Sequence, residues 1–361
     1  MTREFDVVVA GGGPAGSVTG MCLSKLGLRV GIFEASRFDR DRPGETLPPE
    51  INPVLRELGL WQSFEAMRPI EAPGIISAWS GLQTHESDFA FNPHGPGWHV
   101  DRCLLDRMLF VAAHDAGANV FAGERIKVER EKSGWMVKRR DGASFPARFV
   151  IDATGRNGLH MDGSRKRTVE DSLIATVLRM DLRDARSREL RTLIEATPSG
   201  WWYSACVPGN RLVAMFFTGR ECYWRSKDFV AAQLEAAPIT RDRIVKEETV
   251  NWRTDIVALS SSCRERIYGD DWLAAGDSAC SFDPLSGRGV FKALRSAAKA
   301  AHAVDQLLRG NKAACNVYAE SVRREFDAYS QQRAAFYAAH SKWADQPFWR
   351  VRTRAVQTQS A

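Results

Sequence analysis

Scanned for apolar and polar alternation, the chain opens on Asp6-Val7-Val8-Val9-Ala10, a β-branched run suited to a buried parallel strand. The cluster Gly11-Gly12-Gly13-Pro14-Ala15-Gly16 ends that run, and Ser17 to Leu26 predicts a helix. Leu28 to Phe33 predicts a second strand, which ends at Glu34. Residues 49–68 and 103–116 predict helices. Asn119–Phe121, Ile126–Glu129, Trp135–Arg139 and Phe149–Ile151 predict short strands, bounded by turn signals such as Asp141-Gly142. Ser172–Met180, Trp202–Val207 and Arg211–Thr218 have the composition of antiparallel strands, with Pro208-Gly209-Asn210 turning between the last two. Beyond residue 290 the pattern is helical, punctuated by Tyr318, Phe326, Tyr329, Phe336, Tyr337, Trp343, Phe348 and Trp349. No repeat, low-complexity tract or linker divides the chain, so an interwoven architecture is expected.

Composition removes several classes. At 361 residues, 44% hydrophobic and 26% charged, the chain can bury a substantial core and is neither disordered nor collagenous. A net charge of +6 from 50 basic and 44 acidic residues is too dispersed for a nucleic-acid footprint. The seven cysteines are scattered without a Cys-x-x-Cys pair, and the seven histidines show no His-x-x-x-His spacing, so neither a disulfide framework nor a metal site is expected. The first residues do not read as a secretory signal, and no run of about 18 apolar residues is present to span a membrane. The expectation is a reduced, cytoplasmic protein without stable membrane insertion.

The opening carries the candidate chemistry. Strand, Gly-x-Gly-x-x-Gly, helix, strand and acid follow in the order a dinucleotide site needs. Gly11 permits the tight turn, Gly13 lets a diphosphate approach the backbone, and Gly16 allows close helix–strand packing. The helix start at Pro14 and Ala15 offers N–H donors and a positive dipole end to phosphates. Glu34, followed by Ala35, can accept hydrogen bonds from the adenosine ribose.

Two later segments select the dinucleotide. Arg148-Phe149-Val150-Ile151-Asp152-Ala153-Thr154-Gly155 is a strand ending in a small-residue turn. Trp272-Leu273-Ala274-Ala275-Gly276-Asp277 is another, leading through Asp283-Pro284-Leu285-Ser286-Gly287-Arg288-Gly289 into a helix near Val290. Together with the opening, these segments resemble the glutathione-reductase-type FAD proteins, in the p-hydroxybenzoate-hydroxylase-like branch. The resemblance implies an α/β fold, in which a Rossmann FAD-binding domain is interwoven with an antiparallel-sheet substrate domain and a C-terminal helical segment. The expected partition is 1–78, 101–160 and 268–312 for FAD, 79–100 and 161–267 for substrate, and 313–361 for the helical segment. It further implies that Asp277 meets a ribityl hydroxyl, that Pro284, Gly287, Arg288, Gly289 and Val290 lie beside the isoalloxazine, and that Arg102 lies near the phosphates. Ala153, Gly155 and Gly276 complete the expected FAD contacts.

Three further segments narrow the reaction. Gly44-Glu45-Thr46-Leu47-Pro48-Pro49 resembles the Gly-Glu-Ser/Thr-x-x-Pro stretch of the halogenase-like subgroup, beside the flavin. Gly200-Trp201-Trp202-Tyr203-Ser204-Ala205-Cys206-Val207-Pro208 resembles its Trp-x-Trp-x-Ile-Pro strand, with Tyr203 and Ala205 at the two tryptophan positions. The halogenases' lysine has no counterpart between Lys25 and Lys127. The ending from Tyr337 to Arg350 adds a similarity to flavoproteins that mature tryptophan-derived quinone cofactors.

These resemblances imply an FAD-dependent monooxygenase that hydroxylates an indole-type ring through a flavin C4a-hydroperoxide, on a substrate that extends to a peptide or protein client. Glu45, Trp201, Trp202 and Ser204, with Tyr203, are the expected pocket residues. Thr154 stands where direct NAD(P)H users carry an aspartate, so the electrons of NAD(P)H are expected through a separate flavin reductase, or directly from loosely bound NADH. The alternatives are a reductase or dehydrogenase of an isoprenoid or natural-product intermediate, a halogenase, and a flavoprotein that only lends FAD to a client.

Overall fold

The computed structural model describes residues 5–79, 83–132, 134–161, 166–182, 189–223, 227–246, 250–339 and 342–357. Parts of the expected substrate and C-terminal segments that fall elsewhere lie outside the described residues.

Valine-rich Phe5–Ala10 forms the middle of a seven-stranded sheet, parallel to Val30–Glu34 on one side and to Ser144–Asp152 on the other. Asn119–Ala122 extends the sheet beyond Val30–Glu34. Ser144–Asp152 changes partners along its length. Its first half pairs antiparallel with Gly134–Arg139, whereas Val150 to Asp152 pair in parallel with Trp272–Ala274. That switch brings Ala153 and Ala275 to the same sheet end as Gly11, which is where a parallel α/β sheet binds its ligand.

The helix Pro14–Lys25 crosses one face of this sheet between the helices Arg102–Asp115 and Gly289–Leu308. Residues 49–68 form two helices, Ile51–Glu57 and Trp61–Ala66, because Gly59 turns the chain at φ +74°. The helical ending likewise divides into Gly289–Leu308, Ala314–Ala339 and Pro347–Gln357.

A second seven-stranded sheet runs in the order 250–258, 173–181, 211–219, 200–207, 192–197, 74–78, 85–88. All its pairs are antiparallel except Gly74–Ala78 with Thr192–Thr197. Gly74–Ala78, placed at the end of the first FAD segment by sequence, therefore hydrogen-bonds into this sheet. Both faces of the sheet are covered. Trp201, Val213, Met215 and Phe217 face Tyr337, Phe348 and Trp349, while Trp202, Cys206, Leu212 and Phe216 face Ala237 and Ile244. Double burial explains why these strands read as continuous apolar runs. The helices Lys227–Glu235 and Pro238–Lys246, which supply the second cover, and the strands at 74–78 and 192–197 have no clear sequence signal.

All seven cysteines are free, and no group of metal-ligating residues is present among the described residues. Among those residues no helix is long and apolar enough to cross a membrane.

Candidate functional site

A cavity of about 810 Å³ runs from the glycine cluster to the second sheet. Gly11, Gly13, Pro14, Ala15, Glu34, Ala35, Arg102, Ala153, Gly155, Asp277, Pro284, Gly287, Gly289 and Val290 all line it, as do Glu45, Trp201 and Tyr203. Gly16 and Gly276 lie just behind the lining. A Cβ on Gly16 would come within 1.9 Å of the Gly11 carbonyl oxygen, and one on Gly276 within 2.6 Å of the Ala15 Cβ.

The glycines separate into two kinds. Gly11 has φ +103°, and a Cβ there would strike the Ala153 carbonyl oxygen at 2.3 Å, so it is required by the fold. Above Gly13 the nearest atom to a built Cβ is Arg42 Nη1 at 3.8 Å, so its surface is open to a ligand. Gly13 also caps the helix without any side-chain acceptor, which leaves the first-turn N–H groups facing the cavity.

Glu34 is fixed by its neighbours: Oε2 accepts from Gly12 N–H at 2.8 Å, and Oε1 accepts from Ser36 and from Arg42 Nη2 at 3.0 Å. Burial pushes its pKa up, but the bonds from Ser36, the Arg42 charge and Gly12 N–H outweigh this and hold it below the usual range. Arg102 donates through Nε and Nη2 to Asp106 and through Nη1 to the Pro43 carbonyl, while Arg42 also pairs with Asp106. Two guanidinium groups therefore flank the cavity beside the open glycine.

Asp277 meets Lys292 Nζ at 2.9 Å and Arg156 Nε at 3.4 Å. Burial would raise its pKa, but these cations overcome that and bring it down to about 2, so it is a carboxylate able only to accept. Lys292, itself buried, also donates to the Cys280 carbonyl and lies 4.4 Å from the Phe282 ring centroid. The following loop is capped by Asp283, whose Oδ1 accepts from Leu285 N–H. Gly287 is left-handed at φ +60°, and a Cβ on Gly287 or Gly289 would meet nothing within 4 Å. The Arg288 side chain points away, 54% exposed, toward Glu50.

These features fit FAD. The open helix start and paired arginines suit a diphosphate, Glu34 and Asp277 suit hydroxyl donors, and the uncovered backbone at Gly287–Gly289 suits a flat ring.

The second-sheet wall is aromatic. Trp201 stacks on Phe217 at a centroid distance of 3.9 Å, and Met215 lies beside them on the cavity surface. Trp201 Nε1 donates to Tyr337 Oη at 3.1 Å, and Tyr337 donates to Asp283 Oδ2 at 2.9 Å. Tyr329 Oη accepts from Asp283 N–H at 2.6 Å, and Arg333 pairs with Asp283, Asp171 and Glu170. Tyr329, Arg333 and Tyr337, spaced by one helical turn each, thus tie the loop at 283–289 to the wall at Trp201.

Two expected pocket residues face the other way. Trp202 is fully buried on the opposite face of the sheet and donates to the Gln233 carbonyl, and Ser204 accepts from Arg243. Strand side chains alternate, so Trp201 and Tyr203 cannot share the cavity with Trp202 and Ser204. Met215 and Phe217, missed from sequence, could have been found from the same alternation on the neighbouring strand. Arg42, Arg156 and Lys292 carried no comparable signal. Lys292 is a lone cation in an otherwise apolar helix start.

Glu45 is buried where the glycine-lined part of the cavity meets the wall, with Oε2 accepting from Gly44 N–H at 2.8 Å. Burial pushes its carboxyl pKa up, against a smaller opposing pull from Arg102 and Arg179.

Comparison with known proteins agrees with this layout. The tryptophan halogenase family model matches residues 77–360. LodB of Marinomonas mediterranea, named as an FAD-dependent oxidoreductase, is 26% identical over 363 residues, covering 97% of each chain. The solved structure of CmlS, a flavin-dependent halogenase, superposes with a TM-score of 0.84 at 26% identity, over 100% of this chain and 70% of that one. QhpG, a peptidyl tryptophan dihydroxylase essential for tryptophylquinone cofactor biogenesis, shares the fold with a TM-score of 0.81 at 23% identity, over 97% of this chain and 79% of that one. The chain belongs to the tryptophan halogenase family and is an FAD-dependent oxidoreductase.

Proposed function

We propose that the protein is an FAD-dependent monooxygenase that hydroxylates an indole-type ring carried by a peptide or protein client. The observation that carries this reading is the wall itself. Trp201, Met215 and Phe217 form an apolar aromatic surface continuous with the flavin-side loop, and Tyr203 and Ala205 replace the paired tryptophans of the halogenase-like strand. The sequence without lysine from residue 26 to residue 126 supports it further, as does the absence of lysine from the cavity lining among the described residues. The fold shared with a peptidyl tryptophan dihydroxylase is consistent with a tethered ring.

Bound and reduced, FAD supplies the electrons that activate O₂. Overall, one oxygen atom enters an aromatic C–H bond and the other leaves as water, consuming two electrons and two protons. NAD(P)H supplies the electrons, directly or through a separate flavin reductase. The chain's own residues hold the cofactor through the glycine turn, Arg42, Arg102 and Asp277. The Trp201–Phe217 stack orients the ring and excludes water. Glu45, whose pKa burial raises, is placed to hold a proton at its carboxyl beside the ring.

Family membership favours a second reading, halogenation of the same ring. One experiment separates them: incubate the FAD-loaded protein, a flavin reductase and NADH with tryptophan-containing peptides, in air and anaerobically, with and without bromide, and weigh the products. Addition of an oxygen atom, unchanged by bromide, is expected. Replacement of hydrogen by bromine would overturn the hydroxylase in favour of the halogenase, and turnover without O₂ would point to a reductase.

A further inference from the structure

Tyr203, at a tryptophan position of the halogenase-like strand that this segment resembles, lines the cavity together with Thr46. Tyr203 Oη lies 2.6 Å from Thr46 Oγ1, Thr46 Oγ1 lies 3.4 Å from Thr192 Oγ1, and Thr192 Oγ1 lies 3.0 Å from His99 Nε2. The chain ends on a neutral anchor, because burial, reinforced by the Arg243 charge, pushes the His99 imidazole down to about 3. His99 is wholly buried in a strand, Gly97–His99, that pairs directly with Thr46–Leu47. Tyr203 keeps its own proton, since burial first and Glu45 second push its hydroxyl upward. The arrangement orients a polar group without importing charge.

Only one side of the Tyr203 hydroxyl is used by Thr46. In whichever direction that hydrogen bond runs, the phenolic oxygen retains a lone pair. The neighbouring polar group on this wall, the Trp201 indole N–H, is turned away and engaged by Tyr337. Met215 and Phe217 have nothing comparable to offer. An aromatic ring lying on this wall therefore meets an acceptor at Tyr203, with Thr46 and Glu45 beside it and the apolar surface of Trp201, Met215 and Phe217 completing the wall.

We propose that Tyr203, held by Thr46, Thr192 and His99, accepts a hydrogen bond from the ring N–H of the substrate and selects a free indole N–H over its N-alkylated counterpart. This rests on the aromatic-substrate reading above. It adds which edge of the ring faces the sheet and which residue reads it. Placing a methyl group against the fixed hydroxyl loses the bond and crowds the wall, so discrimination of about tenfold or more is expected.

The test is equilibrium binding to the FAD-loaded protein, read by perturbation of the flavin spectrum and by calorimetry. The two probes are N-acetyltryptophanamide and its 1-methyl derivative. Wild type should bind the N–H probe at least about tenfold more tightly. Tyr203→Phe should bring the two within about twofold by weakening only the N–H probe, and Thr46→Val should fall between. Retention of FAD with an unchanged spectrum shows that each variant is folded. No preference in wild type, no binding of the N–H probe, or a preference surviving Tyr203→Phe overturns the proposal. Discrimination in binding without hydroxylated product would sink the hydroxylase reading and leave this one standing; hydroxylation without discrimination would do the reverse.

Discussion

The two ends of the cavity are made of different materials. The proposed FAD seat is made largely of backbone and charge: glycines that admit no side chain, uncapped N–H groups at a helix start, and carboxylates locked by arginine and lysine. The proposed substrate wall is made of side chains: a stacked tryptophan and phenylalanine, a methionine and a single hydroxyl held by neutral partners. Backbone and buried charge tolerate almost no variation, because their errors are steric or Coulombic. A wall of packed side chains can be resurfaced residue by residue without disturbing the seat.

That contrast predicts a ranked set of outcomes. The largest effect is expected in the seat. Gly16→Val places carbon against the Gly11 carbonyl, where even a Cβ would lie at 1.9 Å, so FAD should be lost completely from purified protein. Stoichiometric flavin in that variant would break the distinction between seat and wall.

The adjacent tryptophans come next, because they sharpen the comparison within the wall. Trp202→Ala empties a site sealed on the far face and should cost about 3–5 kcal/mol in urea unfolding, with little change in probe affinity per folded molecule. Trp201→Phe should do the opposite, weakening probe binding several-fold while changing stability by about 1 kcal/mol. Equal effects at the two positions would mean that the face assignment does not control binding.

Lys292→Met leaves Asp277 with only the longer Arg156 contact. Its cost should be roughly 3 kcal/mol, toward the low end for a broken buried pair because the carboxylate borders the open cavity. The Lys292→Met/Asp277→Asn double variant should recover part of that loss. If it is as unstable as the sum of the single changes, the pair is not coupled.

The smallest effect concerns Glu45. Burial raises its folded-state pKa, so the stability associated with its protonated form is complete below the unfolded carboxylate range and is lost as pH rises through the raised value. Glu45→Gln cannot ionise and should flatten that decline by roughly 1 kcal/mol or less over the range above the ordinary carboxylate pKa. Parallel stability–pH curves for wild type and variant would show that Glu45 does not titrate there.

Seat and wall also differed in how well they could be read from residues alone. The glycine turn, Glu34 and Asp277 sit in contiguous motifs whose geometry is local, and each lies on the cavity. The aromatic wall was legible as composition but not as orientation. Four consecutive residues, Trp201 to Ser204, looked equivalent because the sheet is buried on both faces, and no polar alternation marked which side meets the cavity. Lys292, Tyr337 and the His99 chain depend on contacts between residues 15 to 157 positions apart, across which no periodicity operates.

The clasp of Tyr329, Arg333 and Tyr337 has a consequence for biosynthesis. Every glycine of the seat precedes residue 290, while the helix that steadies Asp283 and Trp201 is translated afterwards. The nascent chain therefore acquires the parts of a cofactor site before it acquires a supported substrate wall. A ribosome paused between those two points would hold a polypeptide equipped to recruit flavin but not yet to shelter what the flavin acts upon.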